Sequence, residues 1–294
     1  MQAVASLGPD DAWAVGETGV APQLHSLVLH WDGAAWTRKT TPDLRGLVAI
    51  ASAAGILWVA GEQRIMHRPA GGDWDVLPSL PVSGAPGALQ LLGVAASGGL
   101  TWAVGTVARE FGETIVFSPY AAFWDSKKWH EILVDEAGTE LTGVTAGADG
   151  AVFASSFDGK VVRLSTGGDR REVTPSASPH AATLDAITTD PAGRPWSVGA
   201  VYEDDGSTVP WLLNAPGIDQ GGIRVTTGYG QATVSWFGPV DGSGLADVYG
   251  MFAVGGLPDG SYFVTASGAG CTPGQADVKV RAGRVTAVTA MVEC

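Results

Sequence analysis

The segment DAWAVGE at residues 11–17 places an aromatic residue inside a short apolar run, and four later segments repeat this arrangement. The later segments are ILWVAGE (56–62), LTWAVGT (100–106), AVFASSF (151–157) and RPWSVGA (194–200). Their aromatic residues are Trp13, Trp58, Trp102, Phe153 and Trp196, separated by 45, 44, 51 and 43 residues. Such regular spacing indicates that one structural unit is repeated five times.

Each repeat also contains further short apolar runs. One run ending in a turn precedes each aromatic segment, another follows it, and a fourth closes the first four repeats. Four strands in a period of about 40–45 residues are typical of a β-propeller blade. The sequence therefore predicts an all-β fold in which residues 1–221 form a five-bladed β-propeller. After the fifth repeat only GGIRVTT (221–227) offers a fourth strand, so a truncated larger propeller remains an alternative.

The segment WDGAAW (31–36) recurs as WDSKKW (124–129), with Trp31 and Trp36 matched by Trp124 and Trp129. Asp-Gly favours a tight turn, which predicts a hairpin between the third and fourth strands of a blade. Recurrence at one blade position favours packing between sheets over sugar stacking as the role of these tryptophans. A metal site at His30 and Asp32 is disfavoured because the pair recurs in no other repeat.

The pattern WAVG…LHWDG..W resembles the tryptophan-rich repeats of bacterial extracytoplasmic β-propellers. Residues 56–81, ILWVAGEQRIMHRPAGGDWDVLPSLP, are also similar to a kelch repeat, although the Gly-Gly doublet of that family is missing after the second strand. An Asp-box of the sialidase type is a weaker match, since Asp32 and Gly33 are adjacent and His30 stands where that motif has serine. The resemblance implies a fold and an extracytoplasmic location.

The last 73 residues break this period. Residues 250–270, GMFAVGGLPDGSYFVTASGAG, resemble the carboxypeptidase regulatory-like domain, a transthyretin-type β-sandwich. The matching residues are Gly250, Phe252, Gly256, Leu257, Pro258, Gly260 and Tyr262. The segment LPDGSY predicts a hairpin between MFAVGG and SYFVTAS, with Phe252, Val254, Tyr262 and Val264 facing one core. We therefore expect residues 222–294 to form a small C-terminal β-sandwich that serves as a spacer or accessory unit.

The only two cysteines, Cys271 and Cys294, both fall in this C-terminal segment. That placement favours a disulfide, and hence an oxidising compartment, over two buried thiols in a cytosolic protein. The N-terminus lacks the basic-then-apolar layout of a signal peptide, so the chain is either cytosolic or a trimmed portion of an exported one. The disulfide and the repeats favour a secreted, periplasmic or cell-surface location.

The net charge of the chain is −13. Residues 1–221 contain 13 basic and 25 acidic residues, whereas residues 222–294 contain 4 and 5, which supports two domains. A negative chain without a basic patch argues against nucleic acid and against an anionic membrane surface. No stretch of 18 apolar residues occurs, so membrane insertion is not expected. We expect a monomer or a part of a larger chain.

No recognised catalytic motif occurs. The sequence lacks GxSxG, HExxH, P-loop and CxxC patterns, and its five histidines form no i, i+4 pair. Asp149, Asp185 and Asp190 are the candidate axial carboxylates of a propeller glycoside hydrolase, but turn acids are usually solvated. The segment YEDDGS (202–207) contains three consecutive acidic residues that could bind calcium, but it lacks the alternating spacing of acids that calcium-binding loops have. We therefore predict no catalytic residue, no metal ion and no cofactor.

Two long segments offer candidate ligand contacts. The links between second and third strands, at 107–121 and 201–210, are long, and we expect them to be loops on one rim of the propeller. Function tends to reside on such loops. Their aromatic and charged residues suit sugar hydroxyls or a protein: Arg109, Glu110, Phe111, Tyr120, Tyr202, Glu203 and Asp204. Loops that merely pack on each other remain the alternative.

These observations predict a non-enzymatic, extracytoplasmic binding or display protein. Its propeller face would bind a glycan or a protein, and its C-terminal module would act as a spacer. One alternative is a propeller-type glycoside hydrolase with axial carboxylates. Another is a structural fragment of a larger cell-surface protein.

Overall fold

The computed structural model describes residues 1–20, 23–84, 87–132, 134, 140–147, 150–167, 171–172, 182–202, 207–214, 220–282 and 284–294. Every regular element in these ranges is a β-strand, and we number the strands β1 to β26 in chain order. The predicted all-β fold is confirmed. The same ranges contain no helix with the length and apolarity that crossing a membrane requires.

The chain divides into two compact units. The first comprises Met1–Ala146 with Thr166–Gly168, and the second comprises Gly147–Ser165 with Asp169–Cys294. The domain boundary predicted between residues 221 and 222 falls inside the second unit and stays a prediction.

The first unit contains three four-stranded antiparallel sheets whose strands neighbour one another in chain order. The first sheet consists of β1 (Ala3–Gly8), β2 (Asp11–Val20), β3 (Gln23–Trp31) and β4 (Trp36–Arg38). The second consists of β5 (Ala49–Ala53), β6 (Ile56–Ala60), β7 (Ile65–Arg68) and β8 (Asp75–Val76). The third consists of β9 (Ala88–Ser97), β10 (Leu100–Phe111), β11 (Thr114–Trp124) and β12 (Trp129–Ile132). Strand β13 (Leu141–Ala146) ends the unit.

The repeated WDGAAW and WDSKKW segments form the predicted turn between the third and fourth strands of their sheets. The Asp32 carboxylate accepts hydrogen bonds from the amides of Ala34 and Ala35 at 3.0 and 2.9 Å. These amide hydrogen bonds hold the pKa of Asp32 below its usual range. Asp125 accepts equivalent bonds from the amides of Lys127 and Lys128 at 2.9 and 2.8 Å. The first residue of each turn therefore fixes the turn through its side chain.

The repeated aromatic residues lie on the second strand of each group and supply its core. Trp13, Trp58, Trp102 and Phe153 are buried, while Trp196 is partly buried. Trp58 shares one cluster with residues of the third sheet, including Trp124 and Trp129. The paired tryptophans of the turns also contact each other, with ring centroids 5.8 Å apart for Trp31 and Trp36 and 5.5 Å apart for Trp124 and Trp129. Aromatic side chains thus fill the space between neighbouring sheets of the first unit.

The second unit begins with two groups of antiparallel strands. In the first group β15 pairs with both of its neighbours, and the strands are β14 (Val152–Ser156), β15 (Val161–Leu164) and β16 (Arg171–Glu172). The second group is β17 (Ala182–Thr189), β18 (Pro195–Tyr202) and β19 (Thr208–Asn214). Phe153, Val161, Leu184 and Leu213 join the two groups in one buried cluster.

The C-terminal residues form two further sheets. One has the order β23 (Met251–Leu257), β20 (Gly221–Thr226) and β26 (Val285–Thr289), with β26 parallel to β20. The other has the order β22 (Gly242–Leu245), β21 (Thr233–Phe237), β24 (Gly260–Ser267) and β25 (Gly274–Val280). Both sheets contribute to one buried cluster, which includes Ile223, Val264 and Tyr262. Phe252 and Val254 pack against it, as the alternation of the sequence predicted.

The predicted hairpin through LPDGSY is wrong. Strand β23 pairs with β20, whereas β24 pairs with β21 and β25, so the turn carries the chain from one sheet to the other. A two-residue hairpin turn of the favoured type needs positive φ at both central residues. Pro258 cannot provide this because its ring fixes φ near −65°. The predicted disulfide is confirmed, and it joins Cys271 to Cys294 at the end of the chain.

Candidate functional site

The segment 107–121, predicted as a loop, is instead a long two-stranded hairpin. Strands β10 and β11 remain paired up to Phe111 and Thr114, which flank the two-residue turn of Gly112 and Glu113. Gly112 has a φ of 64°, a conformation that suits glycine. Strand β9 pairs with β10 only as far as Ala108, and β12 pairs with β11 only from Ala121 onward. Residues 109–119 therefore form a ribbon with two free edges among the described strands, and we refer to it as the β10–β11 ribbon.

The β10–β11 ribbon exposes an unusual amount of apolar surface. Phe111 and Ile115 are both 56% exposed, Val116 is 42% exposed and Phe117 is 43% exposed. Single exposed apolar residues are normal, but contiguous apolar patches on a protein surface often mark interaction sites. By the register of the ladder, Phe111 and Val116 lie on one face of the ribbon and Ile115 and Phe117 lie on the other, so each face carries two exposed apolar side chains.

The register of the hairpin shows which backbone groups the free edge presents. Residues that flank a two-residue turn form a hydrogen-bonded pair, and such pairs alternate with non-hydrogen-bonded pairs along the ladder. Since Phe111 and Thr114 flank the turn, Ile115 and Phe117 fall in pairs whose N–H and C=O groups point away from β10. Pro119 falls in the same set and has no N–H, as expected for a proline on an edge strand. The edge of β11 thus offers Ile115 and Phe117 for pairing with another strand.

The base of the β10–β11 ribbon is fixed to the segment that precedes β9. Arg109 Nη2 donates to the carbonyl oxygen of Ser83 at 2.8 Å. The amide and hydroxyl of Ser83 donate to the Glu131 carboxylate at 2.8 and 2.6 Å. Arg109, predicted as a ligand contact, therefore contributes to holding the ribbon in place, while Glu110 and Phe111 are exposed beyond it.

Tyr120, also predicted as a ligand contact, belongs to the core. Its side chain is buried among residues of the second and third sheets, and its hydroxyl donates to the carbonyl oxygen of Pro81 at 2.7 Å. Burial raises the pKa of Tyr120. The prediction placed Tyr120 on a loop, but in a strand successive side chains alternate between faces, and this one points inward.

The second predicted segment, 201–210, lies in the second unit. Tyr202 ends β18, pairs with Thr208 and is exposed. Glu203 and Asp204 lie outside the described residues, as does most of the YEDDGS segment. The structure therefore brings Arg109, Glu110 and Phe111 together on one ribbon and places Tyr202 on a separate hairpin.

The candidate axial carboxylates have different surroundings. Asp190 accepts hydrogen bonds from the amides of Ala192 and Arg194, both at 2.9 Å, and from Arg194 Nε at 2.7 Å. The Arg194 amide is the largest cause that holds the pKa of Asp190 below its usual range. Asp190 is thus a turn-fixing residue. Asp185 is exposed on β17, and Asp149 lies outside the described residues.

Three histidines stack on aromatic rings beside a carboxylate, a feature that the sequence analysis did not identify. His30 lies 4.3 Å from the Trp13 ring, and its Nε2 is 3.0 Å from Asp11 Oδ1. Asp11 also accepts a hydrogen bond from Trp13 Nε1 at 2.9 Å. His30 therefore contacts Asp11, whereas Asp32 accepts hydrogen bonds from the amides of its own turn. In the first and second sheets the histidine lies directly across the ladder from the repeated tryptophan, whereas in the third sheet it lies across from Phe123.

The other two stacked histidines lie in the second and third sheets. His67 stacks on Trp58 with centroids 4.9 Å apart, and His130 stacks on Phe123 with centroids 4.7 Å apart. His130 Nε2 is 2.7 Å from Asp125 Oδ2, whereas His67 Nε2 is 3.9 Å from Asp75 Oδ2. His67 and Asp75 in the second sheet are therefore too far apart for a hydrogen bond, whereas the His30–Asp11 and His130–Asp125 pairs are within hydrogen-bond distance. No group of three or more potential metal ligands occurs within the described ranges.

No family model matches this chain, and no curated protein matches it. Among solved structures, it is similar to a catalytically inactive virginiamycin B lyase from Staphylococcus aureus with quinupristin, at 11% identity and a TM-score of 0.46, covering 91% of this chain and 88% of that one. It is also similar to YCF48 bound to D1 peptide, at 16% identity and a TM-score of 0.43, covering 88% and 93%. The WD40 β-propeller domain of Doa1 matches at 14% identity and a TM-score of 0.37, covering 72% and 81%. The similar solved structures are β-propeller proteins.

Proposed function

We propose that this chain is a non-enzymatic, extracytoplasmic β-propeller protein that binds a protein partner by adding a partner strand to the β10–β11 ribbon. The observation that carries the proposal is the ribbon itself, a projecting hairpin that combines a free strand edge with four exposed large apolar side chains. In this proposal the five strand groups before residue 221 are five blades, with tryptophan-rich, kelch-like repeats. Residues 222–294 are a carboxypeptidase regulatory-like β-sandwich that acts as a spacer.

The free edge favours a polypeptide over a glycan. A strand edge recognises a partner through backbone hydrogen bonds, and alternate side chains supply specificity. Ile115 and Phe117 offer that pattern, because their backbone groups point outward and their side chains lie on one face of the ribbon. A glycan would use aromatic faces beside polar side chains, whereas the four exposed apolar residues here include two aliphatic ones.

The charges near the ribbon tip favour a basic partner segment. Glu110 and Glu113 are exposed at the tip, while the single cation there, Arg109, donates to a backbone carbonyl. The chain as a whole is also negative, which opposes pairing with a second copy and attracts cations. We therefore expect an extended segment that alternates apolar and basic residues.

Two further observations support binding rather than hydrolysis, and export rather than a cytosolic location. Asp190, one of the candidate axial acids, is bound to its own turn and to Arg194. The Cys271–Cys294 disulfide is compatible with an oxidising compartment.

The test uses a labelled peptide that alternates valine and lysine, with an alternating valine–glutamate peptide as the charge control. We expect the basic peptide to bind and to protect the amides of Ile115 and Phe117 from hydrogen exchange. Phe117→Lys places a charge at the edge and should weaken binding by about tenfold or more, because edge lysines discourage strand pairing. The matched control is Val4→Lys, which changes an exposed valine on β1 of the same unit.

Three outcomes would contradict the proposal. An equal loss of peptide affinity in both lysine variants would show that the ribbon is not the binding surface. Equal affinities of the two peptides would show that charge does not contribute to recognition. Turnover of any glycoside by the full chain would instead support the glycoside hydrolase alternative.

A further inference from the structure

A cleft of about 760 Å³ opens between the second and third sheets of the first unit. Small-molecule sites usually occupy roughly 300–1,000 Å³ and combine apolar or aromatic walls with a few polar groups. Here the apolar walls include Trp58, Trp124 and Leu77, and the polar groups include His67 and Asp75. None of these residues belongs to the β10–β11 ribbon, so the cleft is a separate site from the proposed strand-binding surface.

The mouth of the cleft is open because the turns around it are small. The β5–β6 turn consists of Ala54 and Gly55, with φ values of 50° and 77°, and the β9–β10 turn consists of Gly98 and Gly99, with φ values of 60° and 79°. Two-residue turns with positive φ at both positions keep the connection short. No side chain larger than a methyl group stands on these two turns, which leaves open the small part of Trp58 and Trp124, 9% of each residue, that the core does not cover.

The neighbouring junction, between the first and second sheets, shows which chemistry satisfies this environment. There the Arg68 guanidinium carbon lies 4.9 Å from the ring centroid of Trp13, within the range of a cation–π interaction. The Trp74 ring meets Trp13 edge-on, with centroids 5.8 Å apart. The protein therefore places its own cation and its own aromatic edge against the repeated tryptophan of the first sheet.

The junction at the cleft lacks the equivalent cation. Arg68 pairs with Leu57, the residue before Trp58, and the corresponding partner of Thr101 in the third sheet is Trp124. An apolar indole thus replaces a guanidinium at this position. The repeated tryptophan that borders the cleft is Trp58, and His67 stacks on it.

The carboxylate beside the cleft has capacity for a cation. Asp75 is the only carboxylate among the described residues that line the cleft, and its side chain is 79% exposed. Its distance of 3.9 Å to His67 Nε2 is too long for a hydrogen bond, unlike the corresponding pairs of His30 and His130. His67 Nδ1 is buried and has no hydrogen-bond partner within the described part of the chain. A ligand cation at Asp75 would pair with a carboxylate that His67 does not reach within hydrogen-bond distance.

We infer that the cleft between the second and third sheets binds a small organic cation, namely a protonated amine or guanidinium on a flat apolar body. The cation would pair with the Asp75 carboxylate, supplying the charge that Arg68 supplies at the neighbouring junction. The apolar body would contact the indole rings of Trp58 and Trp124. Charge-assisted hydrogen bonds are about twice as strong as neutral ones, so Asp75 should select cations over neutral analogues.

The experiment titrates the full chain with phenethylamine, 2-phenylethanol and 3-phenylpropionate, which share a phenyl ring and differ in charge. Binding is followed by the chemical shifts of the tryptophan indole N–H groups. We expect saturable shifts with phenethylamine, and binding weaker by about tenfold or more with the other two compounds. Equal affinities would overturn the assignment of a cation site, and so would phenethylamine shifts that do not saturate.

Variants locate the site. Asp75→Asn should weaken phenethylamine binding by about tenfold while leaving 2-phenylethanol unaffected. Its matched control is Asp73→Asn. Asp73 carries the same charge and lies two residues from Asp75, but it does not line the cleft. Ala53→Phe fills the mouth and should abolish binding of all three compounds. Unchanged phenethylamine affinity in either Asp75→Asn or Ala53→Phe would overturn the proposal, and a urea unfolding midpoint close to that of the unmodified chain serves as the check that each variant is folded.

Discussion

The hairpins β6–β7 and β10–β11 are the same pair of strands in neighbouring sheets, yet they differ in length and in surroundings. In the second sheet the ladder ends at Ala60 and Ile65, and the amide of Gly61 donates to Arg64 O at 2.9 Å. In the third sheet the ladder continues past the equivalent pair, Val104 and Ala121, through seven further pairs. The first of these further pairs still contribute to the core through Val107 and Tyr120, so only the outer part of the extension, the β10–β11 ribbon, lies outside the packed sheet.

Burial changes along the longer hairpin. Trp102, Ala103 and Val104 are buried at its base, whereas Phe111 and Ile115 are more than half exposed at its tip. Because hydrophobic stabilisation follows the apolar area removed from water, the base should carry most of the folding free energy. Substitutions at the base should therefore destabilise the chain more than substitutions at the tip.

Trp102→Ala should lower the free energy of unfolding by about 3–5 kcal/mol, because it removes a large side chain that is only 2% exposed. Phe111→Ala, at the far end of the same strand, should change it by no more than about 0.5 kcal/mol. Urea denaturation of both variants measures the difference. Comparable losses would show that the tip is part of the core.

Tyr120→Phe should lower the free energy of unfolding by about 1–2 kcal/mol. The packing of the ring remains, but the carbonyl oxygen of Pro81 loses the hydrogen bond from the Tyr120 hydroxyl. Tyr202→Phe is the control, since the Tyr202 side chain is exposed at the end of β18. The measurement is again the urea midpoint. A neutral result at Tyr120 would mean that its hydroxyl does not support the base of the ribbon.

Replacing residues 110–115 by Asn-Gly should shorten the ribbon with a loss of less than about 1 kcal/mol, because few apolar contacts are removed. The new turn would lie between Arg109 and Val116, which form a hydrogen-bonded pair by the register, as a two-residue turn requires. The shortened chain should lose binding of the valine–lysine peptide. Retained binding would place the interaction elsewhere.

The smallest effect concerns acid stability at the β11–β12 turn. His130 is the largest cause that lowers the pKa of Asp125, followed by the amides of Lys128 and Lys127. A carboxylate with a lowered folded pKa contributes stability above its unfolded pKa, about 4, and that contribution disappears as the pH falls through the folded pKa. Asp125→Asn should therefore reduce the difference between the unfolding midpoints at pH 7 and pH 2. Asp73→Asn, which keeps these hydrogen bonds, should reduce it less.

Local patterns in the sequence were sufficient to predict much of the fold. The repeated aromatic residues identify the second strand of each group, Asp32 and Asp125 identify the turns, and the cysteine count identifies the disulfide. The strands and the turns depend on residues that are close in sequence. The disulfide has one possible pairing, because the chain has only two cysteines. These features are therefore visible without the tertiary structure.

The ribbon and the cleft could not be predicted from local sequence patterns, for different reasons. The length of the third repeat suggests a loop insertion, whereas the residues on either side of Gly112 and Glu113 pair as strands. A loop at this position would place Tyr120 on the surface, whereas the alternation of faces along β11 turns its side chain into the core. The cleft depends on the distance between two sheets and on the small residues of two turns, and no single segment specifies either.

Pro119 has a consequence for assembly. A visiting strand can exchange hydrogen bonds with Ile115 and Phe117, but at Pro119 it meets a carbonyl without an accompanying donor. Continued side-by-side growth of sheets, as in a fibril, needs an unbroken row of both groups. Because an exposed apolar edge of this kind can invite self-association, we expect Pro119 to confine strand pairing to the short stretch around Ile115 and Phe117.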